Sequence, residues 1–342
     1  MDRPIYPHSP IQSVQSLCCA LGLPEPLLRS IARRAPGLYI GPKPKAKKNG
    51  GVRYVFDTEV PLKPLLKKIN TVFFRQVNFP RYLTGSLSGR DFVANVDIHK
   101  GSRTAITEDI AQFFDCISAE HVRRIWREFF RFADDVSDLL TQLTTKDGHV
   151  FQGTPTSSYL ANLVFWDCEP DLVARLGARN IRYSRYVDDI TLSSTVELVQ
   201  DDRRWAIAQV YGMVGGAGLK VQRAKHRSIS ARGPITIMGL NANGRTHPTL
   251  TKRERSMIRA QVFQVERRSA TGEVGADISS ALNQAAGKVG RLKRLHPKEA
   301  LALKLRLDVV RRKHAVLPMN VVTPPPASMD ASGNDSDSDP PF

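Results

Sequence analysis

Cysteine is scarce, long apolar runs are missing, and acidic residues are in deficit. The four cysteines, Cys18, Cys19, Cys116 and Cys168, form no Cys-x-x-Cys pair. That argues against a zinc site or a disulfide framework and suits a reducing, cytoplasmic setting. No apolar stretch reaches the roughly 18 residues that a membrane span needs, so no membrane-crossing segment is expected. The opening MDRPIYPHSPIQ lacks the apolar segment of a signal peptide. Only 33 Asp and Glu stand against 50 Lys and Arg, a net charge of +17 over 342 residues. Four of the acids, Asp330, Asp335, Asp337 and Asp339, fall in the last 22 residues, which hold no Lys or Arg, so the preceding 320 carry +21. With 41% hydrophobic residues the chain can bury a core, which excludes wholesale disorder. A basic excess of this size calls for a polyanionic partner, either nucleic acid or an anionic membrane surface.

Periodicity places helices over 11–35, with Pro24 as an interruption, and over 61–77. Between them, Lys43, Lys45, Lys47 and Lys48 lead through an Asn49-Gly50-Gly51 turn into Val52-Arg53-Tyr54-Val55-Phe56, a basic β-hairpin. Residues 103–110 read as a strand, 119–131 as a helix and SYLANLVFWDCEPDLVARL as one helix. RNIRYSRYVDDITLSS reads as two strands about an Asp-Asp turn. Residues 197–217 are helical, 219–243 hold short strands, and 251–315 are helical and basic. From Val321 the Pro, Ser, Asp and Gly content predicts a disordered tail. The order of strand, helices and hairpin within 103–195 predicts an α+β layer with an antiparallel sheet.

Asp188 and Asp189 stand side by side at the hairpin tip. Like charges that close raise each other's pKa unless a cation neutralises them, although Asp also favours plain polar turns. Asp109 ends a strand-like run just before Phe113-Phe114. Brought beside Asp188 and Asp189, it would complete a triad of hard oxygen ligands suited to Mg²⁺. Two such ions serve an in-line phosphoryl displacement. Strand alternation points Glu108 away from Asp109, as a solvated or structural residue. In Gln152-Gly153-Thr154-Pro155-Thr156-Ser157-Ser158, glycine permits close backbone approach, and Thr156 or Ser157 is placed to cap the next helix.

DIxxFF, QGTPTSSxLANL and YVDD, in that order, resemble the palm of reverse transcriptases. The resemblance spans roughly residues 39–310. Asn95-Val96-Asp97-Ile98-His99 is similar to a signature of the bacterial retron group, with Val96 in place of its alanine. Thr236-Ile237-Met238-Gly239-Leu240 keeps the glycine of a Val-Thr-Gly triplet but not the triplet. The resemblance implies a right-hand polymerase fold, α+β, with a palm of antiparallel sheet plus helices. Its divisions would be an N-terminal helical segment over residues 1–38, fingers 39–102, palm 103–245, a helical thumb 246–318 and an acidic tail 319–342.

The same resemblance implies that Asp109, Asp188 and Asp189 are catalytic. With Ile110 they would hold two Mg²⁺. Phe114 would be the steric gate against a ribonucleotide 2′-hydroxyl, with a core role for one of the two Phe rings as the alternative. Gln152 and Gly153 would contact nucleotide or template, and Arg53, helped by Lys45, Lys47 or Lys48, would reach the triphosphate. Lys225 would neutralise or protonate the pyrophosphate. Asn95 and His99 would orient RNA, or else sit buried and hydrogen-bonded. Lys252, Arg253, Arg255 and Arg259, about one turn apart, would line RNA phosphates. The implied activity is copying part of a structured noncoding RNA into single-stranded DNA from dNTPs, primed by an RNA 2′-hydroxyl. The implied setting is anti-phage defence, with a separately encoded effector and an RNA–DNA product (msDNA). Two alternatives stand beside it: a defence reverse transcriptase with template-independent or protein-primed synthesis, and a noncatalytic RNA-binding protein on a polymerase fold.

Overall fold

A computed structural model describes residues 2–46, 50–230, 233–244 and 246–315. Lys47, Lys48, Asn49 and the acidic tail lie outside the described residues, and with them the expected turn and the tail's disorder. The chain divides into two compact units, Met1–Glu254 and Arg255–Phe342.

In the first unit, α1 (Val14–Leu21) and α2 (Glu25–Arg34) are separated at Pro24. Ser13 caps α1 by accepting from the Ser16 N–H, and Gly22 ends it at φ +63°. The basic hairpin forms as expected: β1 (Tyr39–Ala46) pairs antiparallel with β2 (Val52–Thr58), placing Lys45 opposite Arg53. Next, α3 (Leu62–Val72) buries Leu62, Leu65, Leu66 and Ile69 at helical spacing. Phe73 and Phe74 follow and pack with Trp126 and Phe130 in an aromatic cluster. The short α4 (Phe92–Ile98) is capped by Asp91, which accepts from the Ala94 N–H.

The central sheet has the order β4-β5-β3-β6 and every pairing is antiparallel. Its strands are β3 (Thr104–Asp109), β4 (Arg182–Tyr186), β5 (Asp189–Ser194) and β6 (Arg227–Ser230). Helices α5 (Phe113–Cys116), α6 (Ala119–Arg124), α7 (Asp134–Thr144), α8 (Ser157–Leu163) and α9 (Glu169–Gly177) come between β3 and β4. Helix α10 (Gln200–Gly216) follows β5. Both faces of β3 are covered, so Ala105 and Ile106 are fully buried. A small sheet of β7 (Thr236–Ile237), β8 (Leu240–Asn241) and β9 (Thr249–Leu250) closes the unit.

Two expectations change here. The stretch read as one helix from Ser158 breaks into α8 and α9, with Pro170 in the first turn of the second. The break leaves the Ala161 and Asn162 carbonyls to other donors. The expected side-chain cap on α8 is absent: Ser157 Oγ donates to the Thr154 carbonyl, and Thr156 Oγ1 is buried without a partner.

The second unit is helical, with α11 (Lys252–Ala270) from Arg255 onward, α12 (Ala276–Leu295) and α13 (Pro297–Ala315). Ile258, Val262 and Val265 of α11 are buried, as are Leu282, Val289 and Leu292 of α12 and Leu303, Leu307 and Val310 of α13. The Arg306–Glu266 pair, 2.6 Å apart, ties α13 to α11. The architecture is α+β with antiparallel sheets, as expected.

Candidate active site

Strand register brings the acids together. Asp109 is the last residue of β3 and lies directly opposite Asp189, the first residue of β5. Tyr186 pairs with Asp189, so the turn itself is Val187-Asp188 rather than Asp188-Asp189. The Asp188 carbonyl accepts from the Ile110 N–H at 3.0 Å, fastening the turn to the end of β3. Val187 takes the left-handed conformation at φ +61°, unusual for a β-branched residue.

The charge balance is uneven. Lys225 Nζ lies 2.7 Å from Asp109 Oδ2 and is the cation paired with the triad. Burial, and then the Asp109 carboxylate, raise the Asp188 pKa. Burial and the neighbouring Asp188 and Asp109 carboxylates push Asp189 up to about 7, although the residue as a whole keeps contact with solvent. The bond to Asp109 raises the Lys225 pKa. Three carboxylates with one lysine leave excess negative charge that divalent cations would relieve. Among the described residues no three His, Cys, Asp or Glu side chains are already gathered as a metal site. The donor set nevertheless fits such ions, being hard oxygen throughout.

Glu108 is buried rather than solvated, because the strand's opposite face is covered too. It meets His226 Nδ1 at 2.7 Å, while its Oε2 has no partner. Of the two rings, Phe113 is the core residue, stacked on Phe165, and Phe114 is half-buried.

The Gln152-Gly153 loop is docked on the hairpin. Phe56 N–H donates to the Gln152 carbonyl at 2.8 Å. Gly153 sits at φ +108°, and a Cβ there would come within 2.4 Å of the Phe56 carbonyl oxygen, so only glycine fits. Arg53 is exposed on β2. An open cavity of about 880 Å³ beside the hairpin is lined by Lys43 and Lys45 and also by Lys63, Lys67 and Arg75. Those last three were not anticipated from the sequence. Their signal was the four-residue spacing of Lys63 and Lys67 on the polar side of α3.

Asn95 and His99 do not offer themselves to RNA. Asn95 is 1% exposed and accepts a 2.6 Å bond from Thr84 Oγ1. His99 is fully buried, with its ring nitrogens 2.7 Å from Ser193 Oγ and Ser184 Oγ. Burial, and then the nearby Arg182, lower its pKa to about 3, so it is neutral. Both side chains brace the sheet.

The basic row on α11 is split in use. Lys252 and Arg253 are exposed. Arg255 and Arg259 both pair with Glu299 of α13 at 2.7 Å. Glu299 offsets one of these two charges, and Arg259 remains exposed. No helix among the described residues is long and apolar enough to cross a membrane.

No family model matches the chain. It is similar to the retron Se72 reverse transcriptase of Salmonella heidelberg (strain 579083-10), with 34% identity over 313 residues. That match covers 91% of this chain and 82% of the relative. The retron Ec48 reverse transcriptase of Escherichia coli is 27% identical over 318 residues, covering 89% of this chain and 77% of the relative. Among solved structures, telomerase from Candida albicans with a fragment of telomeric RNA aligns at TM-score 0.41 and 11% identity, covering 73% of this chain and 47% of that one. Apo telomerase from Candida tropicalis aligns at TM-score 0.44 and 11% identity, covering 67% and 61%.

Proposed function

The chain belongs to the retron reverse transcriptases and is an RNA-directed DNA polymerase of right-hand fold, and on that premise we propose that it copies part of a bound, structured noncoding RNA into single-stranded DNA. Synthesis starts from a 2′-hydroxyl of that RNA, consumes dNTPs and leaves an RNA joined to its DNA copy. The biological role is defence against phage, with a separately encoded effector.

The observation that carries this reading is the placement of Asp109 opposite Asp189 with Asp188 in the turn between strands. Asp109, Asp188, Asp189 and the backbone carbonyl of Ile110 would hold two Mg²⁺, which when bound supply activation of the attacking hydroxyl and charge neutralisation. Lys225, already on Asp109, neutralises the leaving pyrophosphate. Phe114 screens the sugar by filling the space a 2′-hydroxyl needs. Gln152 and Gly153 seat the incoming base pair, their loop held by β2. Arg53 and, in the adjoining cavity, Lys43, Lys45 and Lys67 neutralise phosphates, Lys63 being paired with Asp57 at 2.8 Å. Residues 39–102 act as fingers, 103–245 as palm and 246–318 as thumb, with Lys252 and Arg253 meeting RNA phosphates.

Sequencing the nucleic acid that copurifies with the protein tests the proposal. The expected product is one RNA species branched at a 2′-hydroxyl to DNA complementary to itself. Random or homopolymeric DNA would sink the templated reading in favour of template-independent synthesis.

A further inference from the structure

Arg185 is fully buried in β4, two residues before the Val187-Asp188 turn, and the phosphoryl-transfer chemistry does not use it. All five of its N–H donors are engaged. Nε and Nη2 hold Glu169 Oε1 and Oε2 at 2.6 and 2.8 Å. Nη2 also reaches the Asn162 carbonyl at 2.9 Å. Nη1 bonds the Ala161 and Val187 carbonyls, each at 3.1 Å. Glu169 is 1% exposed and takes a further bond from the Tyr183 hydroxyl at 2.6 Å.

The contacts form a closed circuit around the turn. Arg185 holds the carbonyl of Val187, the residue in the left-handed conformation. Gly85 presses on Val187 from the other side: a Cβ there would lie 2.5 Å from Val187 N and 2.6 Å from its Cγ2. Asn162 closes the loop, donating from Nδ2 to the Gly85 carbonyl at 2.9 Å while its own carbonyl receives Arg185. The backbone of Arg185 is itself fixed, since its N–H donates to Tyr82 and its carbonyl accepts from Thr84. A buried ion pair alone needs only the Glu169 fork; the remaining three bonds go to main-chain carbonyls, one of them in the turn. Lysine, with three donors on a single atom, cannot reproduce this planar spread.

We propose that Arg185 is a positioning residue for the polymerase reaction. Through the Val187 carbonyl it keeps the turn left-handed and so aims Asp188 and Asp189. The inference rests on the assignment of those two aspartates as catalytic, and the controls separate the two claims.

The test is steady-state dNTP incorporation on a DNA primer annealed to an RNA template, with Tm measured for each variant. Arg185→Lys lowers kcat by about 10²-fold, the scale of a displaced catalytic group, while KM for dNTP changes little. Arg185→Met with Glu169→Met removes the ion pair without stranding a charge, an exchange that often keeps stability. This double variant leaves the Ala161, Asn162 and Val187 carbonyls without their donor, so it melts below the wild type, and at a temperature where it is fully folded it still has low kcat. Val187→Gly added to Arg185→Lys raises kcat again, because glycine adopts φ +61° without the steric cost. Wild-type kcat in the Met pair, no rescue by Val187→Gly, or failure of every variant to fold overturns the inference. Asp188→Asn is the control: full activity there removes the catalytic assignment, whereas an inactive Asp188→Asn beside a fully active Met pair removes only the role of Arg185.

Discussion

The turn at 187–189 and the basic row on α11 both carry charge, yet charge is handled in opposite ways. In the turn, like charges are forced together by backbone register, Asp109 against Asp189, and the surrounding structure holds them there against their repulsion. On α11, opposite charges find each other, and Arg255 and Arg259 settle on Glu299. Charge left uncompensated at such cost points to chemistry. Charge that is internally matched points to packing. Lys252, Arg253 and Arg259 are all exposed, and what sets Arg255 and Arg259 apart is the carboxylate of Glu299 that they share.

Short of removing the carboxylates themselves, breaking the support of the turn should have the largest effect. Gly85→Ala places a methyl against Val187 and should lower kcat for dNTP incorporation by about 10²-fold with RNA affinity retained. Wild-type kcat would show that the turn tolerates displacement. The next effect is on sugar choice. Phe114→Ala should raise rNTP over dNTP incorporation by roughly 10- to 100-fold, the range one pocket can discriminate, and an unchanged ratio removes Phe114 as the gate.

The basic row gives a smaller and different signal. Lys252→Gln with Arg253→Gln should weaken RNA binding and reduce the salt dependence of log K by roughly 0.7–0.9 per lost contact. Arg259→Gln should leave that slope unchanged and lower stability by about 0.2–1 kcal/mol, the scale of an exposed pair. If filter binding and thermal melts gave the reverse assignment, the division of the row would be wrong.

The smallest effect is on pH dependence. The pKa of Asp189 rises from 3.8 to about 7 on folding. The folded chain therefore keeps a proton that the unfolded chain has released, and stability falls as pH rises from about 4 through 7. Asp189→Asn should raise Tm at pH 8 without metal and give no gain near pH 4, with the residue's contact with solvent keeping the gain small. Added Mg²⁺ should stabilise the wild type and not the variant. A lower Tm for Asp189→Asn at pH 8 would contradict the crowding of carboxylates.

Much of this was legible in the residues because hairpin and strand patterns are local. Tyr186-Val187-Asp188-Asp189 between β-formers and Asp109 at a strand end left a plain polar turn open, and it was their order within the reverse-transcriptase resemblance that anticipated their meeting. What stayed hidden depends on distant partners. Asn95 and His99 carry a family signature, but their burial follows from Thr84, Ser184 and Ser193. Arg185 reads as an ordinary strand residue until the break between α8 and α9 presents carbonyls to it. Spacing from Asp109 singled out Phe114 only through the resemblance; the stack of Phe113 on Phe165 is the contact that gives Phe113 the core role. The pairing of Arg255 and Arg259 with Glu299 could not be seen because about forty residues separate the partners in sequence.

The most direct test of the whole account is Mg²⁺-dependent dNTP incorporation by the wild type and by Asp188→Asn with Asp189→Asn, each also assayed for RNA binding. The account predicts RNA-templated DNA synthesis by the wild type and a loss above about 10³-fold in the double variant, more than one electrostatic contact is worth, with RNA binding intact. Undiminished synthesis by the double variant would contradict it.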